Sequence, residues 1–120
     1  MIERKRMSHR NVLMTLLACL ALTGCRSTDE MAPPVSEAMA DVARSRGAAP
    51  AALSPGRLIY LTQCARCHSI EPIDRYSERA WRRIVPDMAD EAKLNERDRS
   101  ALLAYLLTAR EMMTGGAPKH

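Results

Sequence analysis

Cys64-Ala65-Arg66-Cys67-His68 is the stretch on which the reading of this chain turns. It is the C-x-x-C-H pattern of covalent haem attachment. Two thiols three positions apart fall on one helical turn, where each can add across one vinyl group of a haem to make two thioethers. The histidine that follows then reaches the iron. Two other chemistries use C-x-x-C. A thiol-disulfide site would need a βαβ setting, and the sequence beyond the N-terminal leader offers no convincing strand. A zinc site would need about four ligands, and beyond the leader only Cys25 and His120 could add to the motif.

Haem c is attached outside the bacterial cytoplasm, so the motif calls for an export signal. Arg4, Lys5, Arg6 and Arg10 form a positive region, and Val12 to Thr23 follows as twelve uncharged, mainly apolar residues. That is signal-peptide length, short of the roughly 20 residues that span a bilayer. Leu22-Thr23-Gly24-Cys25 ends the apolar run and resembles the lipobox of bacterial lipoproteins. The resemblance implies a signal peptide over 1–24, cleavage before Cys25, and acylation there with more than one chain. One chain gives marginal membrane binding and two give stable anchoring. The protein is then lipid-anchored in the cell envelope, facing the periplasm. An aspartate after the lipidated cysteine favours inner-membrane retention in one sorting scheme, so Arg26 favours the outer membrane. No twin-arginine pattern precedes the apolar run.

Removing residues 1–24 changes the charge argument. The chain has 18 basic and 14 acidic residues; the leader takes four basic ones and Glu3, leaving 14 against 13 and a net charge of +1. A nucleic-acid partner has no support in that balance. Of the four cysteines, Cys19 lies in the apolar run, Cys25 in the lipobox, and Cys64 and Cys67 in the motif, so none is left for a further disulfide.

Residues 25–52 are rich in Ala, Pro and Ser, including Pro33-Pro34 and Gly47-Ala48-Ala49-Pro50-Ala51-Ala52. That composition reads as a flexible linker holding a domain away from the lipid, with a short helix conceivable over Ser36 to Arg46. The compact part is 53–113, about 60 residues, and 114–120 is a flexible tail. So small a unit buries too little surface to be secure alone. A covalently held haem would supply the missing core, which suits a chain with no Phe and one Trp. The apoprotein is then expected to be largely unfolded.

Periodicity predicts three helices, and the fold class is all-α. The first, about Ser54 to Cys67, puts Gly56, Tyr60, Gln63, Cys64 and Cys67 on one face. The second starts at a Ser77 cap and carries Trp81, Ile84, Val85 and Met88, with Pro86 expected to end or kink it. The third starts at Asn95, with Asp98 as a capping-box-like partner. It runs to about Met112, before Gly115-Gly116, with Leu102, Tyr105, Leu106 and Ala109 as its buried stripe.

Gly56-x-x-x-Tyr60-x-x-x-Cys64-x-x-Cys67-His68 at the front, with Leu94-Asn95-x-x-Asp98, Leu102 and Ala104-Tyr105-Leu106 at the back, resembles a small class I c-type cytochrome. The resemblance covers 53–112. It implies a cytochrome c-like fold of about three helices around one covalently attached haem c. The first and last helices would cross near Gly56, Tyr60 and Tyr105. A glycine inside a helix costs about 1 kcal/mol relative to alanine, so close approach is a physical reason for Gly56; a helix-start residue after Pro55 is the plainer one.

His68 is then the fifth iron ligand. Met88 is the sixth, the one methionine between the motif and the last helix, where the family places its distal ligand. Packing beside Trp81, Ile84 and Val85 is the alternative role for Met88. Only 19 residues separate His68 from Met88, fewer than in typical members, so one haem edge should be exposed. Pro72 stands too near His68 to match the family's ring-orienting proline. Trp81 is either a contact to the haem face or propionates, or a core side chain. Arg66, Arg75, Arg82 and Arg83 read as a solvated face that could also meet propionates or a partner.

The resemblance implies an electron carrier, not an enzyme, that meets redox proteins by transient contact. The alternative is a five-coordinate haem sensor, or a haem subunit of a larger oxidoreductase. A thiol-disulfide lipoprotein without haem is the third reading.

Overall fold

The computed structural model describes residues 24–116. The signal peptide, with Cys19, falls outside the described residues apart from Gly24, and so does the tail from Ala117 to His120. Among the described residues there is helix and no strand. The α-helices are α1 (Thr28–Met31), α2 (Glu37–Ser45), α3 (Leu53–Thr62), α4 (Glu78–Glu91) and α5 (Glu96–Thr114). Short 3-10 turns cover Pro50–Ala52, Cys64–Arg66 and Ile73–Arg75.

Four of the five helices among the described residues start where a side-chain oxygen accepts the N–H of the third helical residue. Ser27, Ser36, Ser77 and Asn95 take the amides of Glu30, Met39, Ala80 and Asp98. Each such cap satisfies one of the four amides a helix start leaves unbonded. Gly115, at φ +59°, closes α5 in the left-handed conformation that glycine adopts without a Cβ penalty.

The core is built on the crossing of α3 and α5. An alanine Cβ at Gly56 would stand 2.1 Å from the Ala101 carbonyl oxygen and 2.7 Å from Tyr105 Cβ. The helices meet backbone to side chain at this point, and glycine is the residue that lets them. The expected stripe of α5 holds: Leu102, Tyr105, Leu106 and Ala109 are fully buried. The helix continues to Thr114, two residues past the expected end.

The stretch expected as a flexible linker is folded onto this core. Ala32, Met39 and Ala43 are wholly buried. Tyr105 donates its hydroxyl proton to the Pro33 carbonyl at 2.7 Å, and Arg57 Nε donates to Ala32 and Pro33 while its guanidinium pairs with Asp29 at 2.7 Å. Farther on, Arg46 pairs with Glu78 at 2.9 Å and with Glu111, tying the end of α2 to the start of α4 and the last turns of α5. Small residues that suit a linker by composition also let a strap lie close to a helix. The packed unit therefore begins near Ser27, not Leu53.

Pro86 neither ends nor divides α4, which runs through it to Glu91. Proline removes one helical hydrogen bond and crowds the preceding turn, at about 3 kcal/mol or more. Val85 and Ala89, on either side of it, are almost wholly buried, and that packing offsets the cost. Arg82, whose carbonyl loses its partner, is exposed to water. The first expected helix stops at Thr62, and the motif continues as a tighter turn.

Candidate functional site

The 3-10 turn Cys64–Arg66 sets the geometry of the motif. With three residues per turn, side chains at i and i+3 eclipse, so the Cys64 and Cys67 thiols project to one side. Cys64 is buried and Cys67 exposed, and both are free thiols. Burial, then the neighbouring Cys67, pushes the Cys64 thiol up to about 11. Reactive C-x-x-C thiols are depressed instead, so Cys64 is not primed for disulfide exchange.

His68 is exposed, and its Nδ1 lies 2.7 Å from the Ser69 carbonyl oxygen. A carbonyl only accepts, so the Nδ1 proton points there and the lone pair falls on Nε2. A bond of this kind fixes the tautomer and the orientation of the ring. The ring-orienting role left open by Pro72 is met by the backbone of the next residue.

Three side-chain donors bind backbone carbonyls of the loop after His68. Tyr60 donates to the Glu71 carbonyl, Trp81 Nε1 to the Ile73 carbonyl at 2.9 Å, and Arg110 Nε to the Tyr76 carbonyl at 2.8 Å. Tyr60 and Tyr76 both meet the Trp81 ring edge to face, with centroids 6.0 and 5.2 Å away. Trp81 is therefore a core side chain whose N–H is already engaged, with no proton left for a propionate. Burial raises the Tyr60 hydroxyl well above its ordinary range, so it remains a donor.

Two cavities lie beside this loop, with His68 and Met88 between them. One, of about 250 Å³, is lined by Gln63, Cys64, Cys67, His68, Met88 and the α4 residues Asp87 and Glu91. The other, of about 400 Å³, is lined by Tyr60, His68, Tyr76, Trp81, Ile84 and Met88. His68 and Met88 line both. Cofactor pockets run to about 300–1,000 Å³ with mostly apolar walls and a few placed polar groups, and the paired cavities suit that description. Two thiols at the lip, an imidazole with free Nε2, a thioether and an aromatic floor are a donor set that fits a covalently held haem. A larger cavity, about 490 Å³, lies elsewhere, between Ala48–Pro55 and the start of α5, and its lining is mainly alanine.

The four residues singled out at the motif and at Met88 thus come together. Cys25 stands apart and exposed, and its neighbour Arg26 pairs with Asp74 at 3.1 Å. Arg66, Arg75 and Arg82 are engaged with Gln63, Glu71 and Glu78. Sequence reasoning missed the Ser69 carbonyl, which has no side-chain signal. It also missed Asp87 and Glu91 at the lip, although their spacing around Met88 could have placed them there.

Among the described residues no helix is long and apolar enough to cross a membrane, and no three His, Cys, Asp or Glu side chains gather in the manner of a metal cage. No protein family matches this chain, and neither a curated protein nor a solved structure is detectably similar to it.

Proposed function

We propose that this chain is a monohaem c-type cytochrome lipoprotein that carries single electrons between redox partners at a periplasm-facing membrane surface. The observation that carries the reading is the convergence of Cys64, Cys67, His68 and Met88 on one cleft. A bound haem c supplies reversible one-electron cycling of its iron.

The chain's own residues do the rest. Cys64 and Cys67 would hold the haem through thioethers to its two vinyl groups, a hydrothiolation that needs no oxidant. His68, held by Ser69, would offer Nε2 to the iron. The Met88 thioether would favour the ferrous state and raise the potential relative to a second histidine. Tyr60, Tyr76 and Trp81 keep water from one wall, and Asp87 and Glu91 make the other edge acidic. Acylated Cys25 attaches the protein to the membrane, and Arg26 favours the outer one.

The full chain is tested after expression in a host that matures c-type cytochromes. Peroxidase staining must survive a denaturing gel and disappear in Cys64→Ala/Cys67→Ala; its absence from the unaltered chain refutes haem attachment. The ferric protein should show the weak near-red sulfur-to-iron band, lost in Met88→Ala. A stained protein without that band, or one that binds carbon monoxide readily when reduced, is a five-coordinate haem protein and not a carrier. Cys25→Ser should move the protein from the membrane to the soluble periplasmic fraction.

A further inference from the structure

Helix α4 ends acidic, against its own dipole. Its first turn carries both Glu78 and Arg79, while Asp90 and Glu91 lie in its last turn, with no basic residue there. Anions are stabilised at a helix N-terminus and cations at its C-terminus, so this arrangement is the unfavourable one. The pair Arg83 and Asp87 also runs in the weaker order, base before acid at i,i+4. Some of these charges are compensated inside the molecule, Arg82 by Glu78 and Asp90 by Arg99. Arg79, Arg83, Asp87 and Glu91 are exposed, and their side chains have no ion-pair or hydrogen-bond partner among the described residues.

These four residues stand at steps of four, on one ridge of the helix surface. The ridge is basic at one end and acidic at the other, so it is complementary to itself when turned end to end. A two-fold axis through the ridge, midway between Arg83 and Asp87, places Arg79 against Glu91 and Arg83 against Asp87 of a second copy, and the reverse, so all four charges of each copy are paired. Such a contact also sets the two helix dipoles antiparallel. Ile84 and Pro86, both half-buried, flank its centre. A basic foreign partner would answer only the acidic half.

We infer that two copies of this chain associate through the α4 ridge Arg79–Arg83–Asp87–Glu91 about a two-fold axis. Asp87 and Glu91 line the cleft that holds Cys64, Cys67, His68 and Met88. Each copy therefore brings Arg83 and Arg79 to the mouth of the other's cleft. The inference stands on the ridge alone and does not depend on haem.

Sedimentation equilibrium of the full chain, in density-matched detergent with folding checked by circular dichroism, tests it. At low ionic strength the mass should be that of a dimer, and about 1 M salt, where the Debye length is about 3 Å, should weaken it. Arg83→Glu and Asp87→Arg should each weaken association at least about tenfold, because each sets like charges opposite one another twice. The double variant Arg83→Glu/Asp87→Arg should restore the dimer. A monomeric unaltered chain at low salt overturns the inference. So does a dimer indifferent to the single changes, or one that the double change fails to restore.

Discussion

Gly56→Ala tests the crossing of α3 and α5 directly. The new Cβ would stand 2.1 Å from the Ala101 carbonyl oxygen and 2.7 Å from Tyr105 Cβ. Real Cβ contacts essentially never fall below 3.0 Å, so the helices must part by about 0.9 Å. The obstacle is backbone on α5, not the end of a flexible side chain. Inserting a methyl into a packed core costs about 1–3 kcal/mol, and a backbone clash belongs at the upper end. Against that, alanine recovers about 1 kcal/mol of helix propensity. The net loss is about 2 kcal/mol. For a unit of this size each kcal/mol moves the midpoint by roughly 4–8 °C, so Tm should fall by about 8–16 °C. Thermal unfolding of the full chain, followed at 222 nm, reads it. An unchanged or raised Tm would mean that Gly56 is only a helix-start residue, and the reasoning fails.

Trp81→Phe keeps an aromatic ring, a smaller one, but leaves the Ile73 carbonyl without its donor at a buried site; a loss of at least about 1–3 kcal/mol is expected in denaturant titration. Glu78 is affected first by burial, which would raise its pKa, but hydrogen bonds from Arg82 and Arg46 and then their charges hold the carboxyl below its ordinary 4.5. Its contribution is present above that pH and lost as pH falls below it, so Glu78→Gln should flatten the acid limb of the stability curve. Burial pushes the Tyr105 hydroxyl up to about 12 despite the opposing effect of Arg57. Its stabilising share is full below its ordinary value of 10.0 and fades as pH rises toward 12; Tyr105→Phe should remove that part of the alkaline loss and speed amide exchange in residues 28–46.

What could be read from the chain was what periodicity and capping control. Ser77 and Asn95 cap where their spacing to Ala80 and Asp98 says they should, and the Leu102–Ala109 stripe is a single helical face. What could not be read depends on partners far along the chain. Nothing local tells Ala32 or Met39 that Arg57 and Tyr105 will fix the strap, since those bonds span from 24 to 72 residues. Pro86 misled for the same reason, because local sterics argue for a break and the burial of Val85 and Ala89 overrules them. At the site, the residue types were legible from the motif. The carbonyls of Ser69, Glu71, Ile73 and Tyr76, which hold the loop in place, were not.

The folded strap alters what removal of the haem should do. A 60-residue unit whose main core is a cofactor would collapse without it. The packed unit runs instead from near Ser27 to Gly116, and the fraction of surface buried rises with size. Much of its core lies away from the cleft: Met39, Leu53, Leu102, Tyr105 and Leu106 are wholly buried, and none of them lines either cleft cavity. Burying such side chains contributes about 1.5–3 kcal/mol each, and polar clips from Arg57, Arg46 and Tyr105 add direction to it. The cleft wall has less support, because the loop from Ser69 to Tyr76 is held only by side chains from Arg26, Tyr60, Trp81 and Arg110 and the thiols are free. The full chain with Cys64→Ala/Cys67→Ala should therefore keep most of its helix, with fast amide exchange confined to residues 63–76 and the cleft face of α4. A random-coil spectrum for that variant would return the core to the cofactor and refute the division of labour argued from the strap.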